Sequence, residues 1–207
     1  MSVHHPMVRF QADPRMIRLK TNRHLVKMER QSSMKRFHRI LSALMIGAVL
    51  RAFGQAAPVD SSTNVNVGQV APVFTVTTLD GRIFNTERAR GSVVLLNFFA
   101  TWCTACKMEL PDLQKNVWEP FKKSGLTVLC IGREHSREEL EKFRKENGFT
   151  LDFAPDPKRE IFNLFAVKNI PRNVLIGKDG TILYQCLGYN PEEFRELTDR
   201  AARALSE

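Results

Sequence analysis

Apolar residues change their spacing along this chain, and each change marks an element. Val93-Val94-Leu95-Leu96-Asn97-Phe98-Phe99 is an almost unbroken apolar run, with Gly91 just upstream. Such a run predicts a strand buried on both faces, as in a sheet covered by helices. Leu126 to Ile131 predicts a second strand of the same kind. Between them the apolar positions Leu110, Leu113, Val117 and Phe121 recur at helical spacing, and Pro111 inside this segment is expected to kink the helix.

Turn and capping signals divide the rest. Val73 to Thr78 alternates in part, meets the turn Leu79-Asp80-Gly81-Arg82 and returns through Ile83-Phe84, the pattern of a hairpin. Ser136 with Glu139 forms a capping box that opens a helix over Leu140 and Phe143, closed by Gly148. Asp156-Pro157 reads as the start of another helix with Ile161, Leu164 and Phe165 on its buried side. Val174 to Ile176, the turn Gly177-Lys178-Asp179-Gly180 and Thr181 to Leu187 form a second hairpin. Asn190-Pro191 with Glu193 then caps a final helix through Phe194, Leu197 and Ala201. The expected order is hairpin, strand, helix, strand, helix, helix, hairpin, helix. This is an α/β layered domain.

Charge divides the chain in two. The 207 residues carry a formal net charge of +9, which suggests nucleic acid or an anionic membrane as partner. Residues 1–54 hold 11 Lys and Arg against Asp13 and Glu29, whereas the remaining 20 basic and 20 acidic residues cancel. The basic excess therefore belongs to a leader, and no nucleic-acid partner is expected for the domain. Residues 1–33 read as a disordered basic extension, for which Met34 or Met28 offers an alternative start. Residues 34–54 read as a secretory signal peptide: Met34-Lys35-Arg36-Phe37-His38-Arg39, then 11 apolar or small residues from Ile40 to Leu50. The run is too short for a bilayer span, which takes roughly 20 residues. Cleavage after Gly54 or Ala56 fits; without cleavage the segment becomes a membrane tether. Residues 55–67 read as a linker and 68–207 as the folded domain. Export, to the periplasm or beyond the cell, implies an oxidising compartment.

The chemistry is concentrated at Trp102-Cys103-Thr104-Ala105-Cys106, where the first buried strand gives way to a helix. A helix N-terminus presents unpaired N–H groups and a partial positive charge. A thiolate at Cys103 is favoured there, making it the attacking sulfur, with Cys106 one turn on to resolve the mixed disulfide. Structural zinc requires four ligands, but Cys130 and Cys186 stand alone on predicted strands and His135 is the domain's single histidine. No metal and no cofactor is therefore expected. Cys130 reads as a small buried hydrophobe, and Cys186 as a spare thiol rather than its disulfide partner.

The segment Asn97-Phe98-Phe99-Ala100-Thr101-Trp102-Cys103-Thr104-Ala105-Cys106-Lys107-Met108-Glu109-Leu110-Pro111 resembles thioredoxin-like proteins of the TlpA/ResA group, which is related to the AhpC/TSA proteins. So does Ile170-Pro171-Arg172-Asn173-Val174-Leu175-Ile176 with its Gly-Lys-Asp-Gly turn. The resemblance spans roughly residues 68–207. It implies a thioredoxin-like fold with a central mixed sheet flanked by helices and an N-terminal β-hairpin extension. It further implies a redox-active Cys103–Cys106 disulfide and a cis peptide at Pro171, with the Ile170 backbone pairing with substrate. Trp102 would flank and shield the site. Glu109 matches an acidic residue used near the cysteines to move protons; an ordinary first-turn glutamate is the competing reading. Two departures stand out: Ala105 replaces the common proline before the second cysteine, and Asn97 stands where cytosolic thioredoxins bury an acid.

The expected function is reduction of protein disulfides by an exported oxidoreductase supplied with electrons by a membrane donor. Gly68-Gln69-Val70-Ala71-Pro72-Val73-Phe74 also resembles the start of the peroxiredoxins, which makes a thiol peroxidase the alternative enzyme. A non-catalytic binding module on the same platform is the third reading, against which both cysteines speak.

Overall fold

The computed structural model describes residues 61–207. The expected extension at 1–33 and signal peptide at 34–54 lie outside the described residues. Strands β1 (Thr75–Thr77) and β2 (Ile83–Asn85) form a small antiparallel hairpin. Its turn places Gly81 at φ +78°, which an L side chain resists. Five further strands form the main sheet: β3 (Val93–Phe99), β4 (Leu126–Arg133), β5 (Asp152–Asp156), β6 (Arg172–Ile176) and β7 (Ile182–Leu187), in the spatial order β5-β4-β3-β6-β7. β4 pairs parallel with β3 and β5, whereas β6 runs antiparallel to β3 and β7 antiparallel to β6. This is the mixed sheet of the thioredoxin fold.

Helix α1 (Thr104–Asp112) follows β3, α2 (Arg137–Asn147) follows β4, the short α3 (Phe162–Phe165) follows β5, and α4 (Pro191–Ser206) ends the chain. All seven side chains of β3 are buried, and they alternate between two cores. Val93, Leu95 and Phe99 face α1, α2 and α4 through Leu110, Phe143 and Leu197. Val94, Leu96 and Phe98 face α3 and the segment before β1, where Phe98 packs 5.5 Å from Phe162 and 5.2 Å from Phe165.

The capping box of α2 is present in full, with Ser136 accepting from the Glu139 N–H and Glu139 accepting from the Ser136 N–H. Gly148 closes the helix in the left-handed conformation. At Pro111, which offers no N–H to the helix, α1 persists for one more residue and then widens into a π-helical stretch, Leu113–Trp118.

Three sequence expectations need correction. The segment Asp152–Asp156 is an edge strand absent from the expected order. Asp156 does not begin a helix at Pro157; its carboxylate accepts from the N–H groups of Ile161 and Phe162, so it caps α3 from six residues away. Leu164 is consequently 40% exposed while Phe162 and Phe165 are buried, because the four-residue helix starts later and faces the sheet differently. Finally, residues 61–67 of the expected linker are packed on the domain. Val65 is buried, Asn64 N–H donates to Phe165 O at 2.9 Å, and the buried Arg172 guanidinium donates to Ser62 Oγ and Thr63 Oγ1.

Candidate active site

β3 ends at the site and α1 begins there. The connecting loop turns tightly, with Cys103 N–H donating to Ala100 O at 3.1 Å. Cys103 has extended backbone (φ −80°, ψ 112°) and is the N-cap of α1, its Sγ accepting from Cys106 N–H at 3.2 Å. A sulfur at an N-cap receives the hydrogen bonds and partial positive charge of the helix end. The first turn of α1 contains no acidic side chain to oppose that field. Cys103 and Cys106 are joined in a disulfide with Cα atoms 5.2 Å apart. Cys106 is wholly buried, and Cys103 is the more accessible sulfur at 8% exposure.

The Ile170–Pro171 peptide is cis and lies against this pair. Ile170 O is 3.9 Å from Cys103 Sγ. Pro171 O accepts from Gly188 N–H at 2.8 Å, which ties the proline loop to the end of β7. Trp102 is 59% exposed and stands on the Arg133 guanidinium, whose Cζ is 5.6 Å from the ring centroid. Arg133 also lies 5.0 Å from the Phe162 ring, so it joins the exposed indole to the core.

Beneath the disulfide the sheet carries a polar row. Register pairs Asn97 of β3 with Cys130 of β4 and with Asn173 of β6, and Asn173 with Cys186 of β7. Paired residues point to one face, so all four project toward α1. Glu109, three residues beyond Cys106 on α1, is buried against them. Its carboxylate accepts from Asn97 Nδ2 at 2.8 Å and from Asn173 Nδ2 at 2.6 Å, while Asn97 Nδ2 also donates to Asn173 Oδ1 at 2.9 Å. Burial raises the Glu109 pKa from its ordinary 4.5 to about 7, against the opposing pull of the Asn173 and Asn97 hydrogen bonds. The carboxyl therefore exchanges its proton near neutral pH, as a proton carrier must.

The other two cysteines are free. Burial first, then the charge of Glu109, pushes the Cys130 thiol well up and the Cys186 thiol up to about 12. Cys186 Sγ accepts from Asn173 Nδ2 at 3.7 Å. Among the described residues no group of three or more His, Cys, Asp or Glu side chains could hold a metal ion.

The structure thus brings Cys103, Cys106, Ile170 and Pro171 together, with Trp102 on the rim and Glu109 below. Sequence reasoning missed Asn173 as the second ligand of the Glu109 carboxyl, and Arg133 and His135 as neighbours of the loop. An amide beside the apolar run Val174-Leu175-Ile176, as at Asn173, is the signal that marks such a partner.

Two sulfurs that open and close a bond at a helix N-terminus exchange electron pairs with other disulfides. On this sheet they define a thioredoxin-fold thiol–disulfide oxidoreductase. Residues 67–185 match the AhpC/TSA family, and the chain belongs to that family. It is 27% identical over 157 residues to the thiol-disulfide oxidoreductase ResA of Bacillus anthracis, covering 76% of this chain and 90% of that protein. It is 32% identical over 120 residues to ResA of Geobacillus thermodenitrificans, covering 58% and 68%. A Bacteroides thetaiotaomicron protein, provisionally described as a protein disulfide isomerase, superposes with a TM-score of 0.68 at 35% identity, over 70% of this chain and 94% of that one. A secreted Mycobacterium tuberculosis disulfide oxidoreductase superposes at 0.53 with 25% identity, over 63% and 95%.

Proposed function

We propose that the protein works outside the cytoplasm as a reductant of protein disulfides, with Cys103 as nucleophile and Cys106 as resolving thiol. The observation that carries this reading is the Cys103–Cys106 pair at the N-terminus of α1 beside the cis Ile170–Pro171 peptide. Cys103 thiolate attacks one sulfur of the substrate disulfide, forming a mixed disulfide and releasing the other sulfur, which takes up a proton. Cys106 then loses its proton and attacks Cys103 Sγ, closing the Cys103–Cys106 disulfide and releasing the second substrate thiol. Two electrons pass to the substrate. Glu109, three residues beyond Cys106, accepts the Cys106 proton, and its pKa of about 7 supports that role. An extended substrate segment pairs with the Ile170 backbone, and Trp102 and Met108, 59% and 60% exposed, supply an apolar rim.

The basic and apolar pattern of residues 34–54 supports export to the periplasm or beyond the cell. There the protein needs renewed electrons, which a membrane donor would provide, and an uncleaved leader would tether it. Among the described residues no helix is long and apolar enough to cross a membrane. Insulin reduction tests the chemistry. Wild type should be active, Cys103→Ser inactive, and Cys106→Ser should accumulate the mixed disulfide. Equal activity of wild type and Cys103→Ser refutes the assignment. N-terminal sequencing of the exported protein tests the leader.

A further inference from the structure

The domain's single histidine has no part in the scheme above, yet it is 5% exposed and touches the redox loop. His135 follows β4, directly before the N-cap of α2. Thr101 N–H, two residues before Cys103, donates to His135 Nε2 at 3.0 Å, and Thr101 Oγ1 lies 3.4 Å from the same nitrogen. A nitrogen that accepts from an N–H carries no proton of its own. The neutral ring therefore holds its hydrogen on Nδ1. That atom lies 3.5 Å from Glu139 Oε2, the carboxylate of the capping box. The Thr101 N–H thus sets the tautomer, and the Nδ1 side of the ring faces the Glu139 carboxylate without a hydrogen bond to it.

Arg133, two residues earlier, supports Trp102 from below. The end of β4 thus holds two consecutive residues of the redox loop by independent contacts. That loop sets where Cys103 Sγ stands over the end of α1, and the helix field that favours the thiolate acts only within the first turn.

We propose that His135 is a positioning residue for the dithiol reaction. Its Nε2 anchors Thr101, and through Thr101 it holds Cys103 Sγ where the α1 N-terminus stabilises the thiolate. The inference rests on Cys103 being the nucleophile. In His135→Leu the Thr101 N–H loses its acceptor; in His135→Gln the amide oxygen offers a substitute.

The test uses the reduced full-length protein, with iodoacetamide alkylation of Cys103 followed against pH by mass spectrometry. His135→Leu should slow alkylation at neutral pH by about tenfold, the scale of one buried donor left unsatisfied, and move the thiol titration to higher pH. His135→Gln should return the rate to within about twofold of wild type, as expected when the hydrogen bond is restored. A wild-type rate in His135→Leu, or an equally slow His135→Gln, overturns the proposal. A measurement on the unmutated protein covers the case in which the leucine variant fails to fold. Nitrogen-15 NMR at neutral pH should show the Nδ1–H tautomer of His135, and a proton on Nε2 overturns the proposal. Cys103→Ser in the insulin assay separates the two readings, because activity there removes Cys103 as nucleophile whatever the histidine does.

Discussion

Replacing Glu109 with glutamine should remove a large part of the pH dependence of folding. The carboxyl has a raised pKa of about 7 in the fold against an ordinary 4.5. A raised acid pKa means that the native state binds the proton more tightly than the unfolded chain. Below pH 4.5 both states are protonated, and the buried carboxyl imposes no penalty. As pH rises from 4.5 through 7 the unfolded chain ionises freely, and the native state must either keep a costly proton or bury a charge. A gap of about 2.5 units corresponds to about 3 kcal/mol of stability lost across that window, most of it between about pH 5 and pH 8.

Glutamine has no such window, and it can be accommodated. The glutamine Oε1 can keep the bond from Asn173 Nδ2, and Asn97 Nδ2 keeps its bond to Asn173 Oδ1. Asp80 and Asp179, whose pKa values are lowered chiefly by the Arg144 side chain and the Thr181 backbone N–H, are common to both proteins and cancel in the comparison. Urea unfolding of the oxidised proteins at these two pH values is the assay, with equal slopes as the control for two-state behaviour. Wild type should lose about 2–3 kcal/mol more than Glu109→Gln between them. Parallel pH curves would refute the burial argument.

Two further substitutions test the scaffold. A Cβ on Gly132 would stand 2.6 Å from Leu140 Cδ2 and 2.8 Å from Cδ1, so in Gly132→Ala the Leu140 side chain must move out of its place between α2 and β4. The expected loss is about 1–3 kcal/mol, and an unchanged melting temperature would show that Leu140 repacks freely. Ser136→Ala removes the hydroxyl that accepts from Glu139 N–H at 3.3 Å and should cost about 1 kcal/mol by urea denaturation.

Much of this fold is legible where one residue type meets one requirement. The apolar runs of β3 and β4 have no other use than burial on two faces. Ser136 with Glu139 and Asn190 with Pro191 mark helix starts because capping is local: Asn190 Oδ1 accepts from Glu192 N–H only two residues away. β5 escapes because Asp152, Pro155 and Asp156 punctuate a strand of five residues, and strand propensity cannot outweigh them in a window that short. Asp156 misleads for a related reason, since a carboxylate before a proline fits a local cap, whereas this one reaches α3 across a loop.

The site divides in the same way. Cys103 and Cys106 are three residues apart and announce themselves. The setting of Glu109 depends on Asn97 and Asn173, which are 76 residues apart in sequence and neighbours only through the register of β3 with β6. His135 and Thr101, 34 residues apart, meet only because β3 and β4 end side by side.

The placement of Cys130 and Cys186 determines how many electrons the folded protein can trade. Cys130 is sealed in β4, and burial pushes the Cys186 thiol up to about 12, so it stays protonated near neutral pH. Four sulfurs therefore behave as one couple. On the proposed mechanism each turnover carries two electrons, and within the folded domain Cys106 is the sulfur placed to resolve a mixed disulfide on Cys103. This insulation keeps the sheet's own thiols from short-circuiting the pair at the surface.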